Sequence, residues 1–127
     1  MPGTVLFSVI ESPNHPNFSA LYKRLMIDEV KFNSMRKAIA HLKKQAPDFL
    51  VAEFSYGYSS NYAGANISNL DVLLASLRKY APQARVIVMT DKSQRQYVGL
   101  LADRFPLYAV LQFPIREQEI AALLGGT

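Results

Sequence analysis

Four short runs of apolar residues, each bounded by proline or by polar residues, stand out along the chain. They are residues 5–10, 49–52, 86–89 and 107–111, and a weaker run covers residues 29–32. Unbroken apolar runs of this length are typical of strands that are buried on both faces of a parallel sheet. The pattern therefore predicts five strands.

Between the predicted strands, apolar residues recur with the three-to-four-residue spacing of amphipathic helices. The five apolar faces are Phe18, Leu21, Tyr22 and Leu25; Ala38, Ile39 and Leu42; Ile67, Leu70, Leu74 and Leu77; Val98, Leu101 and Phe105; and Ile120, Leu123 and Leu124. Ser68, with Asp71 three residues later, approximates an N-terminal capping box for the third helix. Alternating strands and helices predict an α/β fold, a doubly wound parallel sheet with helices on both faces.

The composition fits one domain spanning residues 1–127. Half of the residues are apolar, which is enough for a single core. The absence of cysteine excludes disulfides, thiolate metal sites and cysteine nucleophiles, and it fits a reducing compartment. No apolar run approaches the roughly 20 residues of a membrane span, and the N-terminus lacks the basic region of a signal peptide. We therefore expect a cytoplasmic protein that does not contact membranes.

The charge pattern shows one basic cluster. The net charge is +4, and four basic residues fall on one ridge of the predicted second helix. They are Arg36, Lys37, Lys43 and Lys44, opposite Met35, Ile39, Leu42 and Ala46. We interpret the ridge as the solvated face of an amphipathic helix. Nucleic-acid binding through it is an alternative that we do not favour, because aromatic residues are not interleaved with the basic ones.

The segment 55–66, Ser-Tyr-Gly-Tyr-Ser-Ser-Asn-Tyr-Ala-Gly-Ala-Asn, is longer than most connections between a strand and a helix. It is also too polar and too rich in glycine for a strand. Two interpretations stay open for Tyr56, Tyr58 and Tyr62: they form a contact surface for a partner, or they cover the edge of the sheet.

Polar residues follow several of the predicted strands. In an open doubly wound sheet, ligands bind beyond the carboxyl ends of the strands, where the strand order reverses. For five strands in the order 2-1-3-4-5, that crevice would collect the ends of the first, third, fourth and fifth strands. The residues at these ends are Glu11, Ser12, Glu53, Thr90 and Phe113.

Three segments, in order, resemble the receiver domains of response regulators, the CheY-like family. Residues 47–53, Pro-Asp-Phe-Leu-Val-Ala-Glu, resemble the family's third strand, which ends in the phosphate-accepting Asp. Residues 86–90, Val-Ile-Val-Met-Thr, resemble the fourth strand with its switch Thr or Ser, and residues 111–115, Leu-Gln-Phe-Pro-Ile, resemble the Lys-Pro-Phe run after the fifth. The resemblance covers nearly the whole chain and implies a flavodoxin- or CheY-like fold with strand order 2-1-3-4-5.

The departures from the family pattern concern the phosphorylation chemistry. Glu53 replaces the phosphoacceptor Asp, Glu11-Ser12 replaces the acidic pair that holds Mg²⁺, and Phe113 replaces the Lys. Only Thr90 is unchanged, and Val110 stands at the family's aromatic switch position. Phosphoryl transfer to a carboxylate needs an in-line nucleophile, a hard cation and a positive charge at the phosphoryl oxygens. We therefore expect no enzyme activity, no metal and no cofactor in this degenerate pocket.

Two roles for Glu53 are compatible with this expectation. In the first, the longer side chain of Glu53 imitates a phosphoryl group and accepts a hydrogen bond from Thr90. In the second, which we favour, Glu53 is a solvated or locally hydrogen-bonded carboxylate. His15 and His41 have no metal-ligand spacing, and we expect both at the surface. The chain lacks a Gly-x-Ser-x-Gly elbow, which argues against a hydrolytic triad of Ser12 and His15.

The resemblance implies a pseudo-receiver of two-component signal transduction that binds another signalling protein, or a second copy of itself, without phosphorylation control. In the family, the usual partner surface is formed by the fourth helix, fifth strand and fifth helix. Here that surface would include Tyr97, Arg104, Tyr108 and residues 116–124 beginning with Arg116. A residual phosphoacceptor that uses Glu53 with Mg²⁺ and a nucleic-acid-binding domain are the two alternative functions.

Overall fold

Five short strands form one parallel sheet in the order β2-β1-β3-β4-β5. The computed structural model describes residues 3–56 and 68–125. The strands are β1 (Thr4–Val9), β2 (Ile27–Phe32), β3 (Phe49–Glu53), β4 (Arg85–Thr90) and β5 (Ala109–Gln112). Every paired neighbour is parallel. The predicted fold class and strand order are confirmed.

Helices cover both faces of the sheet. They are α1 (Ser19–Arg24), α2 (Met35–Leu42), α3 (Asp71–Tyr80), a 3₁₀ helix (Lys92–Tyr97) that leads into α4 (Val98–Ala102), and α5 (Glu117–Leu123). Along β3, Leu50 and Ala52 pack into the core layer under α2, α3 and α4, whereas Phe49 and Val51 pack into the layer under α1 and α5. This alternation explains why the strand is apolar throughout, since successive side chains point to opposite faces.

Three helices differ from the sequence-based expectation. The third begins at Asp71, the second residue of the predicted capping pair, although Ser68 N–H does donate to Asp71 Oδ1 at 2.6 Å. The fourth has only five α-helical residues, because the preceding 3₁₀ segment contains no buried residue that would hold a regular helix against the sheet. Ala46, predicted on the apolar side of the second helix, lies beyond its end and is exposed.

The sheet ladder continues one residue past three strands. Ile10 N–H donates to Phe32 O, Phe54 N–H to Met89 O, and Phe113 N–H to Thr90 O, each at 2.8 Å. These bonds fix the backbone at the carboxyl edge of the sheet, where the predicted pocket residues lie. Within the described residues, no helix is long and apolar enough to cross a membrane.

Candidate functional site

Glu53, the last residue of β3, directs a largely buried carboxylate towards the segment that follows β1. Its Oε2 accepts hydrogen bonds from the backbone N–H groups of Glu11 (2.8 Å) and Ser12 (3.2 Å), and it lies 3.1 Å from His15 Nδ1. Its Oε1 accepts from Ser12 Oγ at 2.5 Å. Three of the four contacts converge on Oε2 and one is made to Oε1, so both oxygens of the carboxylate face donors from the segment after β1.

The surroundings of Glu53 stabilise its ionised form. Burial alone would raise the pKa of Glu53, but hydrogen bonds from His15, Ser12 and the Glu11 backbone outweigh burial and lower the pKa below its usual value. Because an ionised carboxylate only accepts hydrogen bonds, the proton of the contacting nitrogen lies on His15 Nδ1.

His15 is part of the site, contrary to its predicted surface position. Its side chain is only 2% exposed and contacts Glu53. The cause is a tight turn, in which Asn14 N–H donates to Ser12 Oγ and His15 N–H donates to Ser12 O, both at 3.2 Å. Ser, Pro and Asn are all common turn residues, and a Ser hydroxyl can accept from the backbone N–H two residues on. This run of turn residues after β1 was the signal that could have placed His15 back over the sheet.

Asn69 is a second site residue that sequence reasoning missed. Its Nδ2 donates to Glu53 O at 2.8 Å and to Glu11 Oε1 at 3.3 Å, and its Oδ1 accepts from Ser55 N–H at 2.7 Å. Burial raises the pKa of Glu11, the Asn69 hydrogen bond opposes that change, and the nearby Glu53 charge adds to it. Asn69 thus holds the end of β3 in place from the start of the α3 segment.

The other two pocket residues do not contact the Glu53 carboxylate. Thr90 is fully buried at the end of β4, and its Oγ1 donates to Asp91 O at 3.3 Å. Phe113 is partly buried and packs against the core layer under α1 and α5. The Glu53 carboxylate therefore bonds to the segment after β1, whereas the Thr90 hydroxyl bonds to the backbone carbonyl of the next residue, Asp91.

Comparison with known proteins identifies the fold of the chain. No protein-family model matches the sequence, and no curated protein matches it. A response regulator receiver domain protein from Clostridium thermocellum superposes with a TM-score of 0.72 at 16% identity, over 98% of this chain and 93% of that one. The chain has the receiver fold.

Two further structures share the receiver fold. The receiver domain of a sensor histidine kinase from Pseudomonas aeruginosa, with a magnesium ion coordinated in its active-site cleft, superposes with a TM-score of 0.68 at 15% identity, over 98% of this chain and 97% of that one. A pilus assembly protein from Caulobacter crescentus superposes with a TM-score of 0.65 at 16% identity, over 98% and 93%. At such identities the likeness shows the fold alone, so the chemistry rests on this chain's own residues.

The resemblance to response regulators implies Mg²⁺ in this crevice, but the residues of this receiver fold do not fit the ion. A hard cation needs several free oxygen lone pairs at one point. Here the Glu53 oxygens face N–H and O–H donors, and the Glu11 carboxylate accepts from Asn69. Within residues 3–56 and 68–125, no group of three or more His, Cys, Asp or Glu side chains is placed to hold a metal ion.

The predicted partner-surface residues are spread over the receiver fold. Tyr97 stacks on Tyr56 with the ring centroids 3.9 Å apart and the planes 10° from parallel. Arg104 forms an ion pair with Asp71 of α3 at 3.2 Å, which places it on the α3 side of the sheet. Tyr58 and Tyr62 lie outside the described residues.

The remaining two partner-surface residues lie at opposite ends of β5. Tyr108 precedes the strand, and its hydroxyl donates to Leu123 O at 3.0 Å. Arg116 follows the strand, and its N–H donates to Glu119 Oε2 at 2.9 Å, at the start of α5. The structure thus brings together Tyr56 and Tyr97, and it holds Arg104, Tyr108 and Arg116 in separate local contacts.

Proposed function

We propose that this chain is a degenerate receiver that works as a non-catalytic, phosphorylation-independent protein-interaction module in signal transduction. The observation that carries the proposal is that both oxygens of the largely buried Glu53 carboxylate are engaged by donors of the segment after β1. The two oxygens accept from two backbone N–H groups, a serine hydroxyl and the His15 ring. The side chain is 10% exposed.

A carboxylate attacks a phosphoryl group through a lone pair that faces the donor molecule in line with the leaving group. For Glu53, such a geometry would require breaking hydrogen bonds to a charged acceptor, each worth about 1.5–3 kcal/mol. Phe113, which directly follows β5 and donates its N–H to Thr90 O, offers no ammonium to neutralise the phosphoryl oxygens. Both features oppose phosphorylation of this site.

The signalling role is inferred from the receiver fold. The non-catalytic part of the proposal is inferred from the engaged Glu53 carboxylate and from the absence of an ammonium group at Phe113. Receiver domains transmit signals by binding other proteins, and the resemblance extends over nearly all of this chain. With the carboxylate used as a structural tie, what remains for function is the outer surface. Another signalling protein, or a second copy of the chain, is the partner class that this surface would bind.

The test is incubation of the full chain with acetyl phosphate and Mg²⁺, followed by intact-mass measurement. We expect no addition of a phosphoryl group to this chain. A phosphorylatable receiver domain, treated in parallel, is the positive control and should gain the mass of one phosphoryl group. The matched variant is Glu53→Gln. A mass increase in the original chain that Glu53→Gln abolishes would mean that Glu53 is a phosphoacceptor, and the proposal would fail.

A second experiment tests whether partner binding is independent of phosphorylation. Proteins that co-purify with the chain from its source cells are compared with and without prior treatment with the phosphodonor. We expect the same partners in the same amounts. Partners that appear only after treatment would contradict phosphorylation independence.

A further inference from the structure

The positive charge of the molecule is concentrated on one part of the fold. Residues 19–46, from α1 to just past α2, contain seven Lys or Arg against two Asp or Glu, a net charge of +5. The rest of the chain has seven basic against eight acidic residues, a net charge of −1. The whole net charge of +4 therefore comes from the α1–β2–α2 part of the chain.

Within this part, the outer face of α2 forms one continuous basic surface, which we call the α2 ridge. Lys43 keeps helical backbone angles (φ −70°, ψ −18°), so the helical spacing extends beyond the last residue of α2. Positions 36, 37, 40, 43 and 44 lie three or four residues apart along one side. The α2 ridge consists of the exposed residues Arg36, Lys37, Ala40, Lys43 and Lys44.

The cations of the α2 ridge are not neutralised by neighbouring acidic residues. Arg36 and Lys37 lie in the first turn of α2, where the positive end of the helix dipole disfavours cations, whereas Lys43 and Lys44 lie at the opposite end, where the dipole favours them. Residues 33–47 contain no Asp or Glu. Among the described residues, none of the ion pairs involves the four cations of the ridge. A surface that only needed to be soluble would gain from mixed charges.

The centre of the α2 ridge is neutral and small. Ala40 lies one helical turn from both pairs of cations, and a small side chain lets a second helix approach closely. Met35 and Ile39, on the other side of α2, are partly buried and pack against the core, so the ridge faces outward. A small residue between two pairs of cations leaves room for a partner helix whose acidic side chains reach the cations on either side.

We propose that the α2 ridge docks an acidic helix of a partner protein, with glutamate or aspartate side chains beside the four cations and small residues over Ala40. This inference deepens the proposed interaction function and rests on it.

A second copy of this chain fits the α2 ridge less well. Its acidic helix would be α5, but both acidic residues of α5 have partners within the molecule. Glu117 lies 3.5 Å from Arg24, and Glu119 lies 3.6 Å from the Arg116 guanidinium and also accepts from the Arg116 backbone. A duplex nucleic acid also fits less well, since specific duplex binders make more phosphate contacts than four side chains supply.

The test measures binding to the full chain by fluorescence anisotropy. The probe is a labelled alanine-based helical peptide with glutamates along one face. A peptide of the same composition with scattered glutamates and a short DNA duplex serve as comparison probes. We expect the one-faced peptide to bind best. The double variant Lys43→Glu with Lys44→Glu should weaken its binding by about tenfold or more.

Two variants separate docking from general charge attraction. Lys92→Glu with Arg95→Glu makes the same charge change on the exposed 3₁₀ helix and should alter binding by about twofold or less. Ala40→Lys adds a positive charge but fills the centre of the α2 ridge, so close helix packing predicts weaker binding. Tighter binding by Ala40→Lys, an equal loss in the 3₁₀-helix variant, or preference for the scattered peptide or the duplex would overturn the inference.

Failure of this inference is distinguishable from failure of the proposed function. Absence of peptide binding, with no phosphorylation of Glu53, removes the α2 ridge as the docking surface and leaves the non-catalytic function in place. Phosphorylation of Glu53 would contradict the proposed function, whether or not the acidic peptide binds.

Discussion

At the scale of single residues, one methylene group changes what the carboxyl end of β3 can do. Glutamate reaches further than aspartate, by roughly 1.5 Å, a displacement comparable to those that impair catalysis. Glu53 uses this reach to contact the backbone of Glu11 and Ser12 on the neighbouring strand end. The Glu53 carboxylate thus ties the end of β3 to the segment after β1.

The tie predicts the effect of Glu53→Gln on stability. An amide NH₂ would replace one acceptor oxygen and face the N–H or O–H donors of the segment after β1. We expect the free energy of unfolding to fall by about 2–3 kcal/mol, since buried donors lose their partner. Urea denaturation measures it. The control is Asp91→Asn, a change at the exposed residue after β4, for which we expect a change below about 0.5 kcal/mol.

The pH dependence of stability follows from the same residue. The folded-state pKa of Glu53 is lowered, so its contribution is complete above the unfolded-state value of about 4.3 and is lost as the pH falls through the folded-state pKa. Glu53→Gln should therefore flatten the acid side of the stability curve, measured as urea midpoints from about pH 6 downwards.

Glu11 supplies a control of opposite sign. Its folded-state pKa is raised, so protonation of Glu11 favours the folded state as the pH falls. Glu11→Gln should make the loss of stability in acid steeper. If both variants shifted the curve in the same direction, the opposite roles assigned to the two carboxyl groups would be wrong.

The sequence predicted which residues end the strands but not which of them touch. Glu11, Ser12 and Glu53 were identified as pocket residues because apolar strands precede them. The contact of His15 with Glu53 joins residues 38 positions apart, and its formation depends on the turn at Ser12. Such long-range side-chain contacts have no signature in local periodicity.

At the scale of elements, the apolar runs were the most informative signal. They predicted β3 and β4 within one residue at each end, because both strands are covered on both faces. The fifth strand was predicted two residues early, at residue 107, because Leu107 and Tyr108 are apolar but precede the β5 ladder. The fourth helix was predicted without its 3₁₀ start, since apolar spacing does not distinguish the two helix types.

One connection between elements is strained. Met26, between α1 and β2, has a left-handed backbone (φ 63°) and an 80% exposed side chain. The left-handed conformation costs a residue with a Cβ about 1–2 kcal/mol. Glycine avoids this cost but loses about 0.5–1 kcal/mol of backbone entropy on folding. Met26→Gly should therefore raise the free energy of unfolding by about 0.5 kcal/mol.

The control for this connection is Met26→Ala, which removes the exposed side chain but keeps the Cβ. Thermal or urea unfolding should show no gain for Met26→Ala. An equal gain in both variants would mean that the exposed methionine side chain, and not the backbone conformation, is the source of the destabilisation.

At the scale of the whole molecule, the chain has the receiver fold, and within residues 3–56 and 68–125 no three His, Cys, Asp or Glu side chains are grouped to hold a metal ion. Ligand binding to the folded state raises its stability by an amount that grows with the logarithm of the ratio of ligand concentration to dissociation constant. A site with a dissociation constant of about 1 mM would add about 1.4 kcal/mol at about 10 mM Mg²⁺. That gain corresponds to a rise of several degrees in Tm for a domain of this size.

We expect Mg²⁺ to leave the Tm of this protein unchanged, compared with NaCl at the same ionic strength. Differential scanning calorimetry provides the measurement. A rise of several degrees that is specific to Mg²⁺ and is lost in Glu53→Gln would place a cation at the crevice after all.

The described residues on either side of 57–67 are joined to each other by backbone contacts. Tyr56 and Ser68 form an antiparallel bridge, and Asn69 N–H donates to Ser55 O at 3.1 Å. The backbone that leaves β3 and the backbone that approaches α3 are therefore fastened to each other beside the sheet. Since Asn69 also donates to Glu53 O, any change that loosens this fastening would reach the end of β3 and the Glu53 contacts with it.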